Sequence, residues 1–545
     1  MNWITVVRAT TTFALAAPLA GCANANTDAR GEAGEGGGEA SSNDASMKGV
    51  PDASTNVDDS AAIETGAMDA SSDDSPSEAD GSGPVPFPEC ADAGGGGDGS
   101  TLGASITVSP GTTLGTIGSG FAGLSYEKAI LDQGLFAGNN AAAIAMFKLL
   151  GPSVLRVGGN SVDRSSWNGN NAGTSPPQSN TSEADVDALA AFAKAAGWSV
   201  LYGLNMKTST PADAANEAAY VANALGSNLY GFEIGNEVDL YTSTLGSPSS
   251  WSYSIFKSQW ELFATAIRGG GAGASAPLTG PASASNYNGY TVPFADDEGK
   301  NIVLLTQHYY RADGSLASST IDLLLAPDPN LVTELKALSS ATTSNGIPRA
   351  YRCSECNSFY NGGAPGVSDG YGTALWAIDF LFTNAENGSS GVNFHGGGDG
   401  TGYTPIANSA TGMVEEARPV YYGMLLFTLA GSGPVVATKV SGTSSINFTA
   451  YAVTPSDGST RVVLVNKDAT TTVHATIDVG KTVSGAALTR LQGPSLEATS
   501  GFTIGGVPVT PMGTWSPGPA EYACSTGNQP TVDVPPASAV VVRAK

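Results

Sequence analysis

The chain has 545 residues and a formal net charge of −25, with 24 Lys and Arg against 49 Asp and Glu. That length exceeds one ordinary domain and points to two folded domains with further segments around them. The acidic balance leaves no basic footprint for nucleic acid. The five cysteines and three histidines make no convincing metal or redox set, since CSEC at 353–356 has no second CxxC to pair with.

At the N-terminus, Arg8 precedes ATTTFALAAPLA, an apolar run too short for an ordinary membrane span, and then LAGC at 19–22. LAGC resembles a bacterial lipoprotein lipobox. The resemblance implies a signal peptide over 1–21, acylation of Cys22 and an exported, membrane-anchored protein facing the periplasm or the cell surface. The plainer alternative is a secretory signal with a chance cysteine. Between Ala23 and Ser100 there are 17 acids and two bases, Arg30 and Lys48, among Gly, Ala, Ser and Asp. Residues 22–100 are predicted to be a disordered acidic tether, because such a segment buries too little apolar surface to offset its ordering entropy. Cys90, Cys353, Cys356 and Cys524 allow three full pairings, which spacing does not distinguish. Cys353 and Cys356 are expected not to bond each other. In a regular strand, residues i and i+3 point to opposite faces about 10 Å apart, beyond the roughly 7 Å a disulfide spans. If either bridges, Cys90 or Cys524 is the expected partner.

Residues 101–119, with ASITVSP and LGTIG, have strand texture and are assigned to the same β-domain as the C-terminal region. From 120 to 430, apolar runs alternate with helical stretches. The runs are GFAGLSYE (120–127), VLRVGGN (154–160), SVLYGLNM (199–206), LYGFEIGNE (229–237), APLTGPAS (276–283), NIVLLTQHYY (301–310), YRCSEC (351–356) and GVNFHGG (391–397). Strand–helix alternation predicts a parallel sheet with crossover helices, and eight such units predict a (β/α)8 barrel. Only the fifth unit lacks a legible helix. Residues 431–545 read as short β runs without helical period, hence a β-sandwich. The predicted class is α/β: a barrel inserted between the two parts of a sandwich.

In such barrels chemistry sits at the C-terminal ends of strands. Glu237 ends the fourth run and Glu355 the seventh. Strands four and seven lie across the ring, so the two acids can face each other, as the carboxyls of a retaining glycosidase do at about 5–5.5 Å. Composition and periodicity alone favour the plainer reading, in which the two glutamates cap βα loops.

FEIGNEVD and SECNSFYNGGAPGVSD, with GLSYE, VLRVGGN, QHYY and GVNFHGG in the same order, resemble the heparanase and β-glucuronidase family, glycoside hydrolase family 79. The resemblance runs from about Ala104 to the C-terminus. It implies a barrel with a sandwich, no cofactor or metal, and retaining exo-β-glucuronidase activity on a glucuronic-acid-containing glycoside or polysaccharide. By motif, Glu237 is similar to the family's acid/base, Glu355 to its nucleophile, and Asn236 to the residue that binds the sugar 2-hydroxyl. Tyr360, Tyr403 and the backbone at Gly402 are similar to groups that hold the sugar carboxylate. Glu127, Asn160, Tyr309 or Tyr310, and His308 stand at strand ends where hydroxyls bind. Val238 replaces the usual proline after the acid/base. An arginine clamp for the carboxylate is not expected: Arg352 lies below the nucleophile, which leaves Arg311 as the one competitor. Other readings are a related barrel glycosidase acting on a neutral sugar, heparanase-like endo cleavage, and a non-catalytic carbohydrate-binding lipoprotein. The 21 bases against 32 acids outside Arg8 and the 22–100 segment disfavour a polyanionic polymer.

Overall fold

In the computed structural model, eight strands close into a parallel barrel: Ala122–Glu127, Val154–Gly158, Ser199–Leu204, Leu229–Ile234, Leu278–Ser283, Leu304–Tyr310, Tyr351–Asn357 and Ser389–Gly396. The structure describes residues 100–169, 179–244, 250–398, 400, 402–526 and 529–545. The predicted signal peptide over 1–21, Cys22, Cys90 and nearly all of the acidic segment therefore lie outside the described residues.

Local chemistry sets the barrel helices. Glu183–Ala196 starts at a reciprocal capping box between Ser182 and Asp185 and stops at Gly197, which is left-handed at φ 72°. The helix missing from the fifth unit is the short Val292–Glu298, entered through a π-helical turn at Tyr287–Thr291. Its brevity explains why no amphipathic period announced it.

Thr101–Ile117 pairs antiparallel with Gly433–Ser441 and parallel with Thr472–Asp478. These strands belong to an eleven-stranded mixed sheet that forms the second domain. Its central strands bury both faces. Ala450, Ala452, Val462, Leu464, Val540 and Val542 form the inner core, while Tyr451, Val453, Val463, Val465, Ala539 and Val541 join the barrel's core. Tyr451 stacks on Phe382 of the barrel helix Gly372–Glu386 at 4.4 Å, and its hydroxyl donates to Asp379 at 3.0 Å. Lys467 closes the same contact with an ion pair to Asp379.

Cys353 and Cys356 are free and buried, and Cys524 is disulfide-bonded. The expectation that the first two stay unbonded holds, but its reason does not. On the seventh strand Cys353 pairs with Gln307 and Glu355 with the next residue, His308, so Ser354 is an extra residue in the ladder. This bulge restores Cys353 and Cys356 to one face, toward the helices. It also turns Glu355 into the lumen, on the same side as Arg352 and not opposite to it.

Candidate active site

Arg156, in the second strand, organises the mouth of the barrel. Its side chain is buried, and its fork donates to Glu233 Oε2 at 2.6 Å, Glu355 Oε2 at 2.7 Å, Asn236 Oδ1 at 2.9 Å and Ser125 Oγ at 3.3 Å. A Cβ on Gly158 would sit 2.4 Å from the Arg156 Cζ, so the glycine leaves room for the guanidinium. Sequence reasoning missed Arg156 and Glu233. Their signal was present: a charged residue of each sign inside VLRVGG and LYGFEIG, two runs that are otherwise apolar.

The seventh strand carries Glu355 into this network, where Tyr310 Oη donates to its Oε1 at 2.9 Å. Burial opposes ionisation of Glu355. The positive charges of His395 and Arg156, with the Arg156 hydrogen bond, outweigh it and hold the carboxyl well below the usual range. His395 lies 3.9 Å from Glu355 Oε2 and 3.8 Å from Glu127 Oε1. Burial disfavours its charged form, but these two carboxylates raise its pKa on balance.

Glu237 stands just beyond the fourth strand, its side chain 15% exposed. Its φ of 50° and ψ of 49° are left-handed, a conformation costing a non-glycine residue about 1–2 kcal/mol. Its N–H donates to Ala282 O at 2.8 Å, and its Oε1 lies 3.4 Å from His308 Nδ1. Arg156 Nη2 lies 3.2 Å from the other ring nitrogen of His308. A guanidinium can only donate, so Nε2 accepts and Nδ1 carries the proton that faces Glu237. One ligand atom from each of Glu237, His308 and Glu355 lies within 4.8 Å of the others. That spacing alone suits a metal. The Arg156 guanidinium bonded to two of the three residues makes the donor set a poor fit for a cation.

The remaining predicted residues divide. Asn236 is buried with its carbonyl fixed by Arg156, so the NH2 end of its amide is turned from the guanidinium. Tyr360 and Tyr403 stand at 6.3 and 6.2 Å, centroid to centroid, from the Tyr310 ring. Tyr360 also engages the Asp313 carboxylate. Glu127 accepts the backbone N–H groups of Asn160 and Ser161 at 3.1 and 2.7 Å, which ties the first strand to the turn after the second. Two assignments need correction. Tyr309 does not face the mouth: adjacent strand residues alternate, and its hydroxyl donates outward to Asp328 at 2.8 Å while its ring stacks on Phe380. The Gly402 N–H already donates to Gly362 O at 3.0 Å, so that single backbone donor is not open to a sugar. Arg311 is held by Asp328 at 2.8 Å and Leu323 O at 3.2 Å, and Arg352 is buried against Gly120 O, Phe121 O and Asn393.

Residues 450–541 match the glycosyl hydrolase family 79 C-terminal beta domain. A beta-glucuronidase of Aspergillus niger is 25% identical over 347 residues, which are 57% of this chain and 63% of that protein. A beta-glucuronidase of Neurospora crassa is 29% identical over 44% of this chain and 49% of its own length. The chain is a relative of glycoside hydrolase family 79. It spans about half to two-thirds of the length of these two curated relatives. The fold of this family-79 relative is also that of a 4-O-alpha-L-rhamnosyl-beta-D-glucuronidase from Fusarium oxysporum, with a TM-score of 0.67 and 18% identity over 81% of this chain and all of that one. An alpha-L-arabinofuranosidase of Thermotoga petrophila aligns with a TM-score of 0.60 at 16% identity over 81% of this chain and all of that one.

Proposed function

We propose that this family-79 relative is a retaining exo-β-glucuronidase. The observation that carries the reading is the convergence at the barrel mouth of one carboxylate oxygen of Glu237 and one of Glu355 within 4.8 Å of each other. This supports double displacement, because inverting enzymes need about 6.5–9.5 Å to admit a water between the carboxyls. In the first step a Glu355 oxygen bonds the anomeric carbon, the glycosidic C–O bond breaks, and Glu237 gives its proton to the leaving oxygen. In the second step Glu237 takes a proton from water, the water oxygen bonds the same carbon, and Glu355 leaves as a carboxylate. Arg156 and Tyr310 hold the nucleophile ionised and oriented, and Asn236 binds the 2-hydroxyl.

The glucuronate carboxylate is assigned to the hydroxyls of Tyr403 and Tyr360, the latter turning its single proton from Asp313 to the sugar. The engagement of Arg311 and Arg352 elsewhere supports that assignment over an arginine clamp. Membrane anchoring through Cys22 is part of the proposal and rests on LAGC alone.

The test is turnover of a chromogenic β-glucuronide beside the matching β-glucoside. The expected result is a strong preference for the glucuronide, with its hydrolysis lost in Glu355→Gln and restored by azide in Glu237→Ala with retained β-configuration. Preference for the glucoside would make this a neutral-sugar glycosidase, and tight binding without turnover would make it a sugar-binding protein.

A further inference from the structure

Behind the Asn236–Glu237 turn lies a second acid that the mechanism above does not use. Asp163 sits in the 3-10 turn Val162–Arg164 after the second barrel strand and is 5% exposed. Its Oδ2 accepts the hydroxyl of Tyr241 at 2.6 Å, while its Oδ1 is buried without a hydrogen-bond partner. The Tyr241 oxygen in turn accepts the backbone N–H of Asn236 at 3.2 Å. One hydroxyl therefore links a buried carboxyl in the turn after the second strand to the backbone next to the acid/base.

We propose that Asp163 and Tyr241 are a positioning pair that holds the Asn236–Glu237 turn in register for proton transfer to the leaving group. The proposal rests on the acid/base role of Glu237 given above. Three observations support it. Glu237 is left-handed, a conformation a free loop would relax, and Val238 supplies none of the fixed φ of a proline. The hydroxyl also packs against the turn: a Cβ at Gly235, φ 88°, would meet Tyr241 Oη at 3.0 Å and Val238 Cγ1 at 2.9 Å. The far side of the turn is tied down separately. Trp251 donates to Val238 O at 2.7 Å, and the Asp239 carboxylate accepts N–H groups from Ala284, Ser285 and Asn286 at 2.7–3.0 Å. The Asp163–Tyr241 contact is thus the tie on the strand-two side. Burial lifts the Asp163 pKa to about 7 against the hydroxyl of Tyr241 and the charges of Lys207 and Arg164, with Glu237 adding to the rise. A carboxyl kept unpaired on one oxygen at that cost fits a positioning role better than a merely stabilising one.

Tyr241→Phe removes one oxygen and leaves the ring packing. Acid assistance is worth about 10²–10⁴-fold and matters only when the leaving group is poor. A displaced Glu237 therefore loses rate on an alkyl or sugar glucuronide and not on an activated one. The expected result is a fall of about tenfold or more in kcat/KM for methyl β-glucuronide, with a change within about twofold for the 2,4-dinitrophenyl glucuronide. Asp163→Leu should repeat the pattern, and Asp163→Asn, whose amide oxygen can still accept from Tyr241, should restore most of the rate. Equal losses on both substrates, or none on either, in a Tyr241→Phe protein with unchanged thermal unfolding overturn the pair. Glu237→Gln is measured beside it. If that variant shows no leaving-group dependence, the acid/base assignment itself fails, and the pair fails with it.

Discussion

The two halves of the structure bury their interiors on opposite principles. The sandwich core is Ala, Val, Ile and Leu with one Phe, a set whose only requirement is to fill space away from water. The barrel lumen near the mouth holds Arg156, Glu233, His308, Glu355 and His395, all less than 6% exposed. Buried charges in such number are tolerated where their partners are fixed, and one guanidinium joins Glu233 to Glu355. The contrast teaches that one half is organised for stability and the other for holding charge where chemistry can use it. Substitutions in the two halves should therefore fail differently.

The largest effect is expected at Arg156. Arg156→Met leaves Glu233 and Glu355 buried without their cation, which typically costs about 3–5 kcal/mol. Removing that charge also raises the Glu355 pKa toward its ordinary value. A protonated Glu355 could not act as the proposed nucleophile, so on that proposal the acid limb of kcat/KM should move to higher pH. A pH–rate profile beside a thermal melt reads both, and an unmoved acid limb would detach Arg156 from the nucleophile.

A smaller and purely structural effect is expected in the sandwich. Val542 is fully buried in the inner core. Val542→Ala should lower stability by about 2 kcal/mol and leave kcat/KM unchanged below the transition. A change in the rate would show that the two halves are coupled more closely than their cores suggest.

The smallest effect is electrostatic. Burial opposes ionisation of Asp457, but the Ser459 hydroxyl and N–H and the Arg461 guanidinium hold its carboxyl below the usual range. Arg461 and Arg543 each reach it at 3.0 Å. Its folded-state pKa is depressed, so its contribution is present above the ordinary aspartate value of about 3.9 and is lost as pH falls through the folded one. Asp457→Asn should lower Tm slightly at pH 7, and the two melting curves should converge in acid. Because the carboxylate is 34% exposed, high salt should shrink the difference.

The sequence by itself determined the order of elements and the two glutamates. Period and composition are local properties, so eight apolar runs separated by helices were legible before any contact was known. So were the placement of 101–119 with the C-terminal strands and the candidacy of Glu237 and Glu355. Tertiary structure decided which way side chains face. The bulge at Ser354 turns Glu355 inward and brings Cys353 and Cys356 to one face, and no local rule places a bulge at that residue. The choice between Tyr309 and Tyr310 depended on the same parity, set by closure of the ring. Arg156 and Asp163 come from the second strand-and-loop unit, Glu233 and Tyr241 from the fourth, and their meeting is a property of barrel packing that spacing along the chain does not encode. The Gly402 donor was lost for the same reason: a backbone N–H belongs to the nearest well-aligned acceptor, and Gly362 O lies 40 residues away in sequence and 3.0 Å away in space.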